Sequence, residues 1–186
     1  MLPQPLLDLQ QATRAHQAVH ACNAHTFEDG VGLFALVQQH QPRRVLEFGT
    51  GLGYTACLMA LASPQAHVDT LEGDVEHAAL ARQHIADLGL AERVHLHEGS
   101  FAVSLPALQL PHGSVDLVFF DGNMPPFILV RHFYDLLAPG GLLVCANLEL
   151  NGPLGARRSK AELQEASRWR LLPALENGLT WVAQRV

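Results

Sequence analysis

Val45-Leu46-Glu47-Phe48-Gly49-Thr50-Gly51-Leu52-Gly53-Tyr54-Thr55 runs from a strand-like segment through three alternating glycines into a helix-like one. Glycines at such a junction permit a tight turn and let a ligand approach the backbone without meeting a Cβ. In open α/β sheets, ligands bind beyond the carboxyl ends of the strands, where the strand order switches direction. Residues 47–55 therefore predict a site for a nucleotide-type ligand. A plain strand-to-helix turn would not need three glycines.

Working outward, strand and helix patterns alternate. Strands are predicted at Arg43–Phe48, His67–Glu72, Arg93–Glu98, Val115–Phe120 and Leu142–Ala146. Helices are predicted at Tyr54–Ala62, stopped by Ser63-Pro64, and at Val75–Leu88, stopped by Gly89. A further helix, Pro125–Leu137, carries prolines in its first turn and is closed by Pro139-Gly140-Gly141. Val94 and Leu96 alternate with His95 and His97, the pattern of an edge strand, whereas Val115–Phe120 is nearly all apolar, as in the centre of a parallel sheet. Near the C-terminus, Trp169–Leu175 and Leu179–Arg185 flank Asn177-Gly178, a strong hairpin signal. Strands separated by helices give βαβ units. The expected fold is a doubly wound, Rossmann-like, seven-stranded sheet, mostly parallel, ending in an antiparallel C-terminal hairpin. Residues 5–22 and 29–40 read as helices lying over the ligand edge. One domain over 1–186 is expected, with 1–40 as a helical cap and 41–186 as the core.

Composition narrows the function classes. With 186 residues, 48% of them hydrophobic and 16% charged, the chain can bury a core without disulfides and is not disordered. Twelve Lys and Arg against eighteen Asp and Glu leave a net charge of −6, which argues against nucleic acid as a partner. No apolar run reaches the roughly 18 residues of a membrane span. The opening MLPQPLLDLQQ lacks the basic and apolar stretches of a signal peptide. Cys22, Cys57 and Cys145 are far apart and odd in number, which fits a reducing cytoplasm. Neither G-x-S-x-G nor G-x-x-x-x-G-K occurs, so hydrolase and P-loop readings have no support.

The glycine register discriminates among nucleotide ligands. A dinucleotide site wants G-x-G-x-x-G, but Gly49 and Gly51 are followed by Tyr54 where the third glycine should stand. Glu47, two residues before the first glycine, would repel a pyrophosphate and suits a ligand carrying an ammonium and a sulfonium. S-adenosylmethionine is such a ligand. Glu72 ends the second strand about 20 residues on, where an acid commonly holds ribose hydroxyls.

These segments together resemble the class I S-adenosylmethionine-dependent methyltransferases. Glu47-x-Gly49-x-Gly51-x-Gly53 is similar to their motif I, and Leu71-Glu72-Gly73-Asp74 to the ribose-binding strand end. Arg93–Leu108 resembles the strand and helix beside the adenine, Phe119-Phe120-Asp121-Gly122 motif IV, and Leu137-Ala138-Pro139-Gly140-Gly141-Leu142 the turn before strand five. Within the class, Thr26–Leu36, Leu46–Tyr54 and the final LLPALENGL resemble the small-molecule O-methyltransferases of the catechol and caffeoyl-CoA type. The resemblance implies that Glu47, Gly49, Thr50 and Gly51 contact the methionine part, with Tyr54 and Thr55 at the helix start and Thr55 reaching the carboxylate. It implies that Glu72 and Gly73 border the ribose, and that Gly99, Ser100 and Phe101 lie beside the adenine. Thr26 and Phe27 would border the cofactor from the N-terminal segment, and Asp121 would sit at the methyl-transfer centre.

The chain departs from the metal-dependent members of that group. They hold a divalent cation on an Asp after strand four and an Asp-Asn pair after strand five. Here Asp121 is present, but the pair reads Ala146-Asn147, and a lysine that often follows the first Asp is Met124. Two protein oxygens with one charge, Asp121 and Asn147, make a poor site for a hard cation. Without a metal, an acid or histidine must take the acceptor's proton. Asp121 and His25 are the candidates, with Glu149 just beyond strand five.

Other constellations read as ordinary surface. His16 and His20 share a helix face with His25 nearby, but two histidines without a third ligand make a weak metal site. Residues 157–170 read as a solvated helix face with acid–base pairs, and Gly152-Pro153-Leu154-Gly155 as a loop able to move over the acceptor site. The expected function is methyl transfer from S-adenosylmethionine to an oxygen of a small molecule. N- or C-methyl transfer, including the corrinoid type, and a non-catalytic cofactor-binding protein remain open. The apolar N-terminal helix offers a surface for a homodimer.

Overall fold

The computed structural model describes residues 1–122, 129–146, 148 and 152–186. Five strands of parallel character, β1 (Arg44–Phe48), β2 (His67–Glu72), β3 (Val94–Glu98), β4 (Val115–Phe120) and β5 (Leu137–Cys145), are joined by β6 (Trp169–Leu175) and β7 (Thr180–Arg185). They form one seven-stranded sheet in the order β3-β2-β1-β4-β5-β7-β6. β2 and β4 flank β1, both parallel to it, while β7 runs antiparallel to β5 and to β6. The chain winds one way from β1 through β3 and the other way from β4 onward. The switch point thus lies between the ends of β1 and β4.

Among the described residues, seven α-helices flank the sheet: α1 (Gln4–His20), α2 (Gly30–His40), α3 (Tyr54–Ala62), α4 (Val75–Asp87), α5 (Phe101–Ala107), α6 (Val130–Leu136) and α7 (Gly152–Leu163). Their starts follow local chemistry. Asp29 caps α2 by accepting from the Gly32 N–H, and Asp74 caps α4 by accepting from the N–H groups of Glu76 and His77. The two-residue period of the strands sorts the core onto two faces. Val45, Leu117, Phe119 and Val144 pack with Leu6, Leu33, Val37 and Met59 of α1, α2 and α3. Leu46, Phe48, Phe120 and Leu143 pack with Phe133 and Leu163 of α6 and α7.

The strand and helix boundaries agree closely with those expected through residue 120. β3 is an edge strand, and β4 is the middle strand of the seven. Two readings are corrected. Gly152-Pro153-Leu154-Gly155 opens α7 rather than forming a loop, because Gly155, Ala156 and Ser159 give it a small-residue face that is buried. β5 starts at Leu137, so Pro139-Gly140-Gly141 sits inside its irregular pairing with β4 rather than before it. α1 buries Leu6 and Leu9 in the chain's own core. The expected start of the 125–137 helix lies outside the described residues, which resume with α6. Along residues 157–170, Glu162 pairs with Arg168 at 2.5 Å and with Arg131 at 3.4 Å, in keeping with a solvated charged surface. No described helix is long and apolar enough to cross a membrane.

Directly beneath the switch point, Phe48 meets Phe101, Phe120 and Phe133 at ring-centroid distances of 5.2, 5.9 and 4.9 Å. Exchange of the fully buried Phe133 for Ala is expected to cost about 3–5 kcal/mol. Urea unfolding should show it as a lower midpoint with an unchanged slope.

Candidate functional site

A cleft of about 1320 Å³ opens over the carboxyl ends of β1, β2 and β4. The glycine loop forms its floor, and its three glycines meet three different demands. Gly49 has φ +93°, and a Cβ there would lie 2.8 Å from the Asp121 carbonyl, so the loop can lie against the end of β4 only without a side chain. Gly53, at φ +91°, is the residue from which α3 starts. Gly51, at φ +53°, has no atom within 4 Å of the place a Cβ would take, so its exposed backbone faces open cleft.

Below this floor lies a buried polar chain. Glu47 points to the same sheet face as Val45, toward α3, and is fully buried. Its cross-strand neighbour is Thr70. Thr55 Oγ1 donates to one carboxylate oxygen and Thr70 Oγ1 to the other, each at 2.5 Å. Since Thr70 has a single hydroxyl proton, Thr50 Oγ1 is the donor in its own 2.5 Å contact with Thr70. The loop residue Thr50, the strand residue Thr70 and the helix residue Thr55 are thereby tied to one carboxyl group. Burial pushes that group up from its ordinary range to about 8; the two threonine bonds oppose the rise, and the nearby Asp121 and Glu72 add to it.

Glu47 does not line the cleft, although the sequence suggested a ligand-facing carboxylate. Glu72 does line it. One of its oxygens accepts from the Gly51 N–H at 2.8 Å and the other from the Asp74 N–H at 2.9 Å, so the acid at the end of β2 is bonded to the loop. Its carbonyl accepts from the Gly99 N–H at 2.8 Å, which aligns the end of β3 with it.

The remaining expected residues converge on the same space. Thr50, Thr55, Tyr54 and Gly73 line the cleft, as do Gly99, Ser100 and Phe101. The Phe101 ring lies over Gly122, where a Cβ would come within 2.6 Å of it. Asp121 lines the cleft from the end of β4, its N–H donating to the Phe48 carbonyl at 2.9 Å. The Tyr54 hydroxyl is buried without a hydrogen-bond partner among the described residues, and burial pushes it up to about 12, so it remains a donor across the neutral range. His25, Thr26 and Phe27 line the opposite wall. His25 Nδ1 lies 2.7 Å from Gln17 Nε2, and Thr26 donates to Glu28 at 2.9 Å. Phe27 is mostly core, edge-on to Phe119 at 5.4 Å. Asn147, Met124 and Glu149 lie outside the described residues.

Sequence reasoning missed one wall. Glu176, in the turn between β6 and β7, accepts from the Glu28 N–H at 3.1 Å and donates its own N–H to Asp29 at 3.2 Å. Glu176 and Leu179 therefore face the cleft beside residues 26–29, nearly 150 positions away in the chain. No local pattern announces such a contact. Cys22 and His77 on the rim were likewise not expected.

Comparison with known proteins agrees with this geometry. Residues 46–148 match the model of a family described as a methyltransferase domain. The chain is 34% identical over 148 residues to a catechol O-methyltransferase of Niastella koreensis, covering 72% of this chain and 67% of that protein. It is 33% identical over 143 residues to a catechol O-methyltransferase of Mycobacterium tuberculosis, covering 76% of this chain and 64% of that one. The chain thus spans about two thirds of the length of these two relatives. Among solved structures, the O-methyltransferase TomG from Streptomyces achromogenes, in complex with SAM, is similar at a TM-score of 0.77 and 25% identity, over 100% of this chain and 91% of that one.

The raised Glu47 carboxyl has a consequence for stability. Its folded value of about 8 lies above the 4.5 of an unperturbed glutamate, so between these two the unfolded chain binds fewer protons than the folded one. The stability it supports is full below about pH 4.5 and is lost as the pH rises through about 8. Relative to Glu47→Gln, the wild-type protein should lose on the order of 1 kcal/mol per pH unit across that window in urea unfolding. A parallel pair of curves would contradict the assignment.

Proposed function

The chain belongs to the methyltransferase-domain family, and from that premise we propose that it transfers the methyl group of S-adenosylmethionine to a hydroxyl oxygen of a small molecule. The observation that carries this reading is the bare backbone at Gly51, facing a cleft of about 1320 Å³ with the Glu72 carboxylate bonded to it. That arrangement fits a nucleoside whose ribose hydroxyls replace the loop N–H groups on Glu72. Bound there, S-adenosylmethionine supplies an activated methyl: the new C–O bond forms as the C–S bond breaks, with the bonding pair left on sulfur.

The chain's own residues supply position and proton transfer. Gly49, Thr50 and Gly51 hold the methionine part, with Tyr54 and Thr55 at the helix start. Glu47 acts from beneath, by fixing Thr50 and Thr55. Glu72 and Gly73 hold the ribose, Gly99 and Ser100 border the adenine, and Phe101 packs on it. Thr26 and Phe27 close the opposite side. Asp121, at the end of a fully buried strand segment, takes the proton of the acceptor hydroxyl, while His25 borders the mouth. Holding the acceptor oxygen in line with the methyl group is the larger part of the catalysis.

A divalent cation finds a poor donor set here. Among the described residues at the end of β4 and β5, Asp121 offers one carboxylate and Ala146 offers no side-chain oxygen.

We place the reaction in the reducing cytoplasm, since all three cysteines are free. The whole of 1–186 acts as one domain, with 1–40 as the cap over the cleft. The catechol O-methyltransferase relatives make catechols the first acceptors to test.

Turnover should be measured on catechols, hydroxamates and acyl-CoA phenols, with and without magnesium. Methylation of an oxygen on at least one of them, unchanged by chelation, is expected. Asp121→Ala should lower kcat by about 10²–10⁴-fold, and His25→Ala by less than about tenfold. Full activity of Asp121→Ala would remove it as the base.

A further inference from the structure

The C-terminal end of α1 carries His16 and His20 one turn apart, their rings stacked at 4.3 Å. The helix ends at Ala21, whose left-handed backbone (φ +49°, ψ +35°) turns the chain so that Cys22 comes back beside His16. From across the cleft rim, α4 presents His77 in its first turn, seven per cent exposed, its N–H held by the Asp74 cap. The His16 and His77 rings meet edge-on at 5.7 Å. One ring nitrogen of His16, one of His77 and the Cys22 Sγ all lie within 4.8 Å of one another.

We propose that His16, Cys22 and His77 form a binding site for a transition-metal dication of the zinc class, separate from the methyl-transfer centre. A thiolate with two imidazoles is a borderline-soft donor set, suited to zinc and cobalt and not to magnesium or calcium. Tetrahedral bonds of about 2.0–2.3 Å put such ligand atoms roughly 3.4–3.8 Å apart, so closing the present triad takes an ångström of side-chain movement. The three residues come from two separate helices and from the turn that ends one of them. A shared ion would therefore pin the end of the N-terminal cap to the start of α4. Cys22 and His77 also line the cleft, so an ion held by the triad would sit at its edge.

His16 also belongs to a second triad with His20 and Glu76, which lacks the thiolate and is more exposed. The sulfur-containing triad is the site assigned here, and the difference is measurable.

The test is a titration of the full chain, reduced and free of cofactor, with cobalt(II) alone. One equivalent should bind, with the visible absorption of tetrahedral cobalt and a thiolate-to-cobalt charge-transfer band, and zinc should displace it. Cys22→Ser should lose the charge-transfer band and bind at least about tenfold more weakly. His16→Gln, on the helix surface, should keep the band but weaken binding to a similar extent. The band should persist in His20→Gln. Any of four results would overturn the proposal: no saturable binding, an octahedral spectrum without charge transfer, Cys22→Ser indistinguishable from wild type, or binding lost in His20→Gln or in Asp121→Ala instead.

Discussion

A carboxyl group sits in the middle of the sheet, at the ligand end, with no access to water. Burying a carboxyl group without partners is costly, and Glu47 is accommodated because Thr55 and Thr70 are hydrogen-bonded to its two oxygens and Thr50 in turn to Thr70. The same four side chains fix three things at once: the pairing of β1 with β2, the course of the glycine loop, and the first turn of α3. Each is a precondition for a cleft with bare backbone at Gly51. The loop's shape is therefore set from below by a buried polar chain, and not only by the freedom of its glycines.

Above that chain, topology determines what the cleft contains. Because the strand order turns back between β1 and β4, Asp121 and the glycine loop emerge side by side, and the Gly49 backbone lies against the Asp121 carbonyl. β2 and β3 bring Glu72 and Gly99 to the same edge, joined by a backbone bond. The far wall depends on contacts between distant parts of the chain. Residues 26–29 follow α1, and Glu176 lies in the last hairpin, yet they exchange hydrogen bonds across the rim. A methyl donor held on the loop and an acceptor held under this wall would meet at Asp121.

Much of this was legible in the sequence, and the failures have physical causes. The strands through β4 were legible because their apolar or alternating stretches are bounded by glycine, proline and short helices. α7 was not, since Gly152, Pro153 and Gly155 carry a loop's local chemistry while the burial of its own Gly155, Ala156, Ser159 and Leu163 accompanies the helix. The place of Glu47 was misjudged because a charged residue invites a ligand-facing reading. Its strand period, shared with Val45, and the threonine opposite it were the available signals that it points inward. The clasp at Glu176 and the meeting of His77 with His16 and Cys22 are tertiary events, spanning about 60 to 150 positions, for which periodicity and motif carry no information.

On this reading the loop over Glu47 holds a sulfonium nucleoside rather than a dinucleotide. Isothermal calorimetry of the full chain with S-adenosylmethionine, S-adenosylhomocysteine and NAD, each against Gly51→Val as well, tests it most directly. Saturable one-to-one heat is expected with the first two, lost when a side chain fills the gap at Gly51, and none with NAD. Tight binding of NAD with no heat from either sulfur compound would contradict it.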